Sequence, residues 1–456
     1  MVIIIYAHNS TEYTKLTLET LRSYGPGYPV VLVDNASDDG MKDWASDQED
    51  ITYVYMDEGY QPIGKALNEV IRALSIEEDL LIIDGHMAVT PGMVEAMEAV
   101  FAKYPNTGAV GPMCNAQVAN QEIRIPTDKS VADYNDAVVE AMRMERESER
   151  GLSDLVVGLS DSALMIKKPV WDEVGGFDEE MEDFHYVAID YSLRILPLGY
   201  ESRVAKAALI WDIRVGRRSY VSEKDRCVMA EKHKNQYFNI VGNKNITEKI
   251  DRNKDDEFNV LEIGCDCGAT LLAIRNEYPN VHCYGAEINP ASAEIASYVM
   301  ESRDNVVVAN IDDRNLDFGV KFDYVLFGDV LEHLRDPLGT LQYTKTLLND
   351  GGMVLASIPN LMNITVIEDL LNGNFTYTDT GLLDRTHIHL FTYNEIVKMF
   401  DEAGYSIRNM TFASTKTSKE QDEFIGQLLR IAPKAEEFMY RAFQYVVEAK
   451  KNKKRG

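Results

Sequence analysis

The chemistry-bearing residues of this sequence gather at the ends of short apolar runs. The segment VLEIGCDCGATLLAI, residues 260–274, passes an apolar stretch ending around Glu262, crosses a loop with Gly264 and Gly268, and enters a helical pattern at once. Glycines there let a ligand approach the backbone closely, and the helix N-terminus offers unpaired N–H groups. Glu287 closes the next apolar run, about 20 residues on, where a carboxylate can accept two hydrogen bonds from ribose hydroxyls. The loop reads G-C-D-C-G-A and lacks the G-x-G-x-x-G pattern that cradles a pyrophosphate. S-adenosyl-L-methionine has no phosphate and carries a positive sulfonium, which acidic residues such as Glu262 and Asp266 tolerate. That cofactor is the expectation for this segment.

A second group lies near the amino terminus. Asp34 ends the run VVLVD, and Asn35, Ser37, Asp38 and Gly40 form a turn after it. The Asp34 carboxylate is placed to accept from a nucleobase or a ribose. Further on, Leu80–Ile83 runs into Asp84-Gly85-His86, which sets a carboxylate and an imidazole at a buried strand end. Both are ligands for a hard or borderline divalent ion that neutralises a diphosphate.

Alternating elements must position these groups. Val2–Tyr6, Val30–Val33, Thr52–Met56 and Leu80–Ile83 read as strands, with helices over Thr14–Tyr24, Ile63–Leu74 and Pro91–Lys103 between them. Residues 243–257, NKNITEKIDRNKDDE, are polar and charged and read as a linker. The alternation then restarts. Strands are expected over Asn259–Ile263, Val281–Ala286, Val306–Asn310, Tyr324–Gly328 and Met353–Ile358, with helices over Ala269–Glu277, Ala291–Glu301 and Leu338–Leu348. The last 40 or so residues read as helical and end in KKNKKRG, a solvated basic tail. The fold class is therefore α/β, with two Rossmann-like doubly wound domains and a helical C-terminal tail. No internal repeat is visible.

The chain has 456 residues, enough for two or three domains, and a net charge of −28. So acidic a surface repels nucleic-acid backbones and anionic lipid, which argues against nucleic acid as a partner. Five cysteines make neither a disulfide framework nor a zinc pattern. The apolar run Val2 to Ala7 is too short to span a bilayer, and no basic segment precedes it. A cytoplasmic protein without an integral membrane segment is expected.

The second half resembles class I S-adenosylmethionine-dependent methyltransferases. Beyond the 260–274 motif, Asn310-Ile-Asp312-Asp313 is similar to the family's acidic site beside the adenine. FDYVLFGDVLEHLRDP (322–337), with Asp329, Glu332 and His333, resembles its fourth motif, and LLNDGGMVLASIPN (347–360) the strand before a late hairpin. LLDRTHIHLFTYNEIVKMFDEAGY (382–405) resembles the carboxyl-terminal signature of many small-molecule methyltransferases. The resemblance implies cofactor contacts from Glu262, Gly264, Gly268, Glu287, Asp312 and Asp329. By motif position it makes His333 and His387 candidates for the base that takes the acceptor's proton.

Residues 1–220 resemble family-two glycosyltransferases with the A-type fold. Tyr6-Ala-His-Asn-Ser10, VDNASDDG, Gly64-Lys-Ala-Leu-Asn68 and GGFDEEM (175–181) carry the resemblance, with YSLRILPLGY after them. It implies that His8, Asn9, Asp34, Asn35, Gly64, Asn68 and Asp84 bind a nucleotide-sugar. The family's D-x-D is here Asp84-Gly-His86, and its late histidine before G-x-x-S is replaced by Asp212 in IWDIRVGRRS. The carboxylate and imidazole exchange places, so Asp84, His86 and Asp212 are expected to hold Mn²⁺ or Mg²⁺. The family's acidic pair E-D-x-D reads Val187-Ala188-Ile189-Asp190, with alanine at the usual base position. Asp190, or Asp183 and His185 upstream, is left to act as base, or none does.

The expectation is a glycosyltransferase domain over residues 1–242, a linker over 243–257, a methyltransferase domain over 258–412 and a tail over 413–456. The chain would transfer a sugar from a nucleotide-sugar donor to a glycan or glycoprotein acceptor and methylate a sugar hydroxyl. The rival keeps the methyltransferase and makes the first domain a non-catalytic glycan- or nucleotide-sugar-binding module, which the missing acid at Ala188 favours. Methylation of protein or RNA is weaker, because no aromatic–basic platform accompanies the acidic charge.

Overall fold

The computed structural model describes residues 1–116, 119–127, 132–149, 151–160, 162–214, 222–235, 239–300 and 302–452. Met1–Val241 and Gly242–Gly456 form separate compact units.

In the first unit β1 (Val2–Ala7), β2 (Val30–Asp34), β3 (Ile51–Tyr55) and β4 (Leu80–Asp84) lie parallel in the order β3-β2-β1-β4. Branched apolar side chains fill the central strands because they suit a pleated sheet covered on both faces. Ile3, Ile4, Ile5, Val33, Leu81, Ile82 and Ile83 are all buried. The register sets Ala7 beside Asp34 and Tyr6 beside Asp84, so three chain segments leave the sheet along one edge. Beyond β4 come β5 (Met87–Val89), β6 (Thr107–Cys114), β7 (Ser153–Val156), β8 (Ala163–Ile166) and β9 (Glu201–Asp212). They continue the sheet as β4-β8-β6-β9-β5, with β7 paired to β9 off that path. β8 is antiparallel to β4 and β6, so this half of the sheet is mixed. Met87 lies opposite Asp212, and the Ile213 N–H donates to the His86 carbonyl. The Asp84-Gly85-His86 turn is thereby set against the end of β9.

The second unit holds β10 (Phe258–Ile263), β11 (Val281–Glu287), β12 (Val306–Val308), β13 (Phe322–Gly328), β14 (Leu348–Pro359), β15 (Tyr405–Ser414) and β16 (Ala442–Lys451). Their order is β12-β11-β10-β13-β14-β16-β15. The first five are parallel, and β16 runs antiparallel to both of its neighbours.

Two expectations change here. The tail is helical over Lys419–Ile431 and Glu437–Arg441. Residues 442–451 are instead a strand inside the sheet, with Tyr445, Val447 and Ala449 buried in the main core of the unit. The final residues 453–456 of the basic tail lie outside the described residues. The 243–257 segment is not a bare linker either. Ile246 and Ile250, one helical turn apart, pack with Phe258, Leu271 and Tyr324. Two apolar side chains among charged neighbours suffice to tie it to the second unit. Among the described residues no helix is long and apolar enough to cross a membrane.

Candidate functional site

Parallel pairing of β10 with β11 brings the loop 264–268 and the Glu287 carboxylate to one sheet edge. One Glu287 oxygen accepts the Asp266 N–H at 2.9 Å, and the other the Asn289 N–H at 2.8 Å. Each oxygen keeps a second lone pair, so Glu287 fixes the loop and still has acceptor capacity. Gly264 has φ +70°, a conformation that favours glycine, and a Cβ there would lie 2.7 Å from Val330 Cγ2. Gly268, at φ +82°, opens the helix Ala269–Glu277. Glu262 is buried, and its Oε2 has no hydrogen-bond partner. Burial pushes its pKa up to about 8 against the pull of the Thr270 hydroxyl, with Asp266 and Glu287 adding to the rise. A buried carboxyl with an unused oxygen fits a ligand that brings positive charge or a donor. Asp312 follows β12, with both oxygens 3.3 Å from the Arg335 N–H. Asp329 follows β13 at φ +55° and donates its N–H to Ser357 Oγ at 3.0 Å. The six residues expected to hold the cofactor thus come from the ends of four adjacent strands.

Beside them, the short turn Leu331–His333 faces the 382–389 segment. The rings of His333 and His387 pack edge to face, with centroids 4.9 Å apart. His333 Nδ1 donates to the Thr386 carbonyl at 3.1 Å and His387 Nδ1 to the Leu382 carbonyl at 3.2 Å. A carbonyl only accepts, so each Nδ1 carries a proton, and in the neutral ring Nε2 keeps its lone pair. Glu332, in the motif but with no role foreseen, is 1% exposed, and neither carboxyl oxygen has a partner. Burial, and then the neighbouring Asp329, pushes its pKa well above the usual carboxyl range.

In the first unit the edge is built by side chains that bind one another. His8 Nδ1 donates to the Asn35 carbonyl at 2.7 Å, and its ring lies 4.7 Å from that of Tyr60. Asn9, at φ +47°, donates its N–H to Ser37 Oγ and accepts the Asp38 N–H. Asp34 is fully buried; one oxygen accepts the Ser37 N–H at 2.8 Å and the other the Tyr53 hydroxyl at 2.6 Å. Asn35, equally buried, is spent on Tyr6 and Gln61. A Cβ on Gly64 would lie 1.8 Å from the Asp178 carbonyl oxygen. Asn68 donates to the Phe177 carbonyl and Glu179 and accepts the Phe177 N–H. The motifs GKALN and GGFDEEM therefore clasp each other. Asp34, Asn35, Gly64 and Asn68 are thus held in the fold's own hydrogen-bond and packing network, where they shape the edge expected to meet the nucleotide-sugar. His8, Asn9 and Asp84 keep surface at the edge.

Residues 2–174 match the family model for glycosyl transferase family 2, and residues 230–409 match a methyltransferase domain. The chain joins a family-two glycosyltransferase domain to a class I methyltransferase domain. The methyltransferase segment is 27% identical, over 176 residues, to a malonyl-[acyl-carrier protein] O-methyltransferase of Paenibacillus sp. (strain JDR-2). That match covers 36% of this chain and 60% of the relative's length. Among solved structures, GalNAc-T7 with UDP, GalNAc and Mn²⁺ aligns at TM-score 0.38 and 13% identity, over 50% of this chain and 47% of that one. The plantazolicin methyltransferase BpumL, with a triazolic analogue and S-adenosylhomocysteine (SAH), aligns at 0.32 and 18%, over 44% and 79%.

Within the glycosyltransferase domain the expected metal donors do not converge. Asp84 Oδ1 accepts the His86 N–H at 2.9 Å and lies 2.6 Å from His86 Nδ1. Asp212 is turned to Arg214, whose Nε and Nη2 lie 3.0 and 2.8 Å from its two oxygens. Among the described residues, Asp84, His86 and Asp212 do not bring one ligating atom each within 4.8 Å of the others. As folded, this donor set does not fit one divalent ion, and the nearby positive charge is a guanidinium. Burial would raise the pKa of Asp84, but His86 and then Arg214 hold it below the usual range. The expected G-x-x-S stretch after Asp212 lies outside the described residues.

The expected bases also sort. Asp190 is 1% exposed; Arg194 Nε lies 2.6 Å from one oxygen and His233 Nε2 2.9 Å from the other. It is the centre of a buried ion-pair network, not an open base. Asp183 caps the helix Phe184–Ile195 by accepting the His185 N–H at 3.0 Å. Asp225, which no motif marks, is fully buried, and its Oδ2 accepts the N–H groups of Glu182 and Asp183. It anchors the loop that carries the two remaining base candidates.

Proposed function

We propose that the chain adds a sugar from a nucleotide-sugar to a glycan or glycoprotein acceptor and methylates a sugar hydroxyl with S-adenosylmethionine. The observation that carries this reading is the cradle of Glu262, Gly264, Gly268 and Glu287. It offers a buried acceptor, a close backbone approach and a carboxylate with lone pairs to spare, and no phosphate cradle. S-adenosylmethionine supplies an activated methyl group when bound. The chain's own part is to hold the cofactor through Glu262 and Glu287, to orient the acceptor oxygen in line with the methyl carbon, and to let its proton depart.

For sugar transfer, Asp183 or His185 would take the proton of the attacking hydroxyl, since both oxygens of Asp190 are engaged. Arg214, at the end of β9, would meet the charge of the diphosphate. We place both reactions in the cytoplasm; none of the five cysteines forms a disulfide, which suits a reducing compartment. A second reading, in which the glycosyltransferase domain only binds glycan or nucleotide-sugar, draws support from Ala188 and from the engagement of Asp190.

The test supplies the full chain with a panel of sugar nucleotides, S-adenosylmethionine and glycan acceptors. Release of nucleoside diphosphate and of SAH would be followed separately. Both products support two activities. SAH alone supports the second reading, and neither product overturns both.

A further inference from the structure

We propose that Glu332, His333 and His387 form a binding site for one divalent metal ion of the Mn²⁺, Co²⁺ or Zn²⁺ class, on the acceptor side of the methyltransferase domain. Each residue offers a ligating atom, and these atoms all lie within 4.8 Å of one another. Among the described residues, no other group of three His, Cys, Asp or Glu side chains meets that distance. Two imidazoles and one carboxylate suit a borderline divalent ion and leave coordination positions open.

Three independent features make this a prepared site. First, Glu332 is 1% exposed and both of its carboxyl oxygens lack a partner. Buried polar atoms are nearly always hydrogen-bonded, so two orphans on one carboxyl point to a missing cation or donor. Second, both histidines hand their Nδ1 protons to backbone carbonyls, at Thr386 and Leu382. That second contact fixes ring and tautomer and leaves Nε2 as the ligand atom, as metal-bound histidines require. Third, the backbone joins the two halves of the site. The Glu332 carbonyl accepts the N–H groups of Ile388 and His389, each at 2.9 Å, so the turn after β13 and the distant 387–389 segment are tied together. The ion thus has its ligands positioned before it arrives.

The site lies next to Asp329, at the strand end that the cofactor cradle shares. Its use therefore rests on reading this domain as an S-adenosylmethionine-dependent methyltransferase. An acceptor hydroxyl drawn to the open positions would lose its proton to water more readily. Its oxygen then bonds to the methyl carbon as the C–S bond breaks, and the bonding pair passes to sulfur to give neutral SAH. In this arrangement His333 and His387 are ligands, and neither needs to act as the base.

The test uses the full chain stripped with chelator and titrated with Co²⁺ alone, followed by the visible absorption of the ion and by calorimetry. SAH binding to the same metal-free samples reports folding and the cofactor site. Glu332→Gln and His387→Gln are compared with wild type, all in an Asp84→Asn background that removes the other carboxylate–imidazole pair. The expected result is one Co²⁺ per chain, bound at least 10-fold more weakly by each variant, with SAH affinity kept within twofold. Absence of Co²⁺ binding by the parent, or binding unchanged in both variants, overturns the metal site. Loss of SAH binding in the parent protein overturns the methyltransferase reading instead, whatever the metal does.

Discussion

In the proposed cofactor cradle Glu262 and Glu287 have different tasks, and each gives a prediction. Glu287 already holds two backbone N–H groups, so Glu287→Gln is a cleaner probe than truncation, because it keeps the shape and removes the charge. It should weaken binding of SAH by about 1.5–3 kcal/mol, the range for hydrogen bonds to a charged partner. Unchanged calorimetric affinity in the folded variant would remove Glu287 from the ribose. Glu262, with a pKa of about 8, is mostly protonated near neutrality. A cationic cofactor beside it should draw that proton out. Calorimetry of S-adenosylmethionine binding at pH 7, in buffers of different ionisation enthalpy, should therefore show release of up to about one proton. The linkage has a definite sign. A carboxyl raised above its unfolded value costs stability as pH climbs through the interval up to about 8, so the wild-type second unit should lose stability there relative to Glu262→Gln. Parallel stability curves for the two proteins would contradict the burial argument.

At the scale of elements, the helix Phe184–Ile195 shows why motif spacing leaves the base open. Spacing offers Asp190 as one candidate among several and says nothing of His233, 43 residues on, which takes one oxygen. Burial would raise the Asp190 pKa, but His233 and Arg194 outweigh it and hold it below the usual range. Its contribution is therefore full above the ordinary carboxylate pKa and is lost as pH falls through the depressed value. Asp190→Asn should destabilise the first unit by about 2–4 kcal/mol at pH 7, near the cost of breaking a buried pair, in urea unfolding. A variant with wild-type stability and no sugar transfer would restore Asp190 as a base. Strand β16 makes a similar point. Its residues AFQYVVEAKK alternate poorly, and the strand follows two helices, so only its neighbours β14 and β15 define it. Val447→Ala should cost about 1–3 kcal/mol of second-unit stability. A shift below 0.5 kcal/mol would show that the inserted strand is dispensable. The parallel strands β1–β4 and β10–β14 were legible because each carries a short, mostly apolar run that ends at a polar turn, densest in branched residues in β1, β2 and β4. β5 to β8 and the clasp of Gly64 and Asn68 on the Phe177–Glu179 turn were not, because long-range pairing decides them. The same limit applied to the site. Strand ends located the carboxylates and glycines, while Arg214, Asp225 and the joining of Glu332 to two histidines needed the fold.

For the whole molecule, the account makes two separate ligand demands on one chain. Each compact unit has its own hydrophobic core, so each should unfold in its own transition, and a ligand raises only the transition of the unit that binds it. The net charge of −28 should keep the chain soluble and weaken non-specific binding to polyanions, without deciding either specificity. The most direct measurement is a calorimetric thermal scan of the full chain with SAH, with a panel of sugar nucleotides, and with both. The account predicts that SAH raises one transition, that at least one sugar nucleotide raises the other, and that the two shifts persist together. A scan in which no sugar nucleotide moves either transition, or in which SAH moves neither, would contradict it.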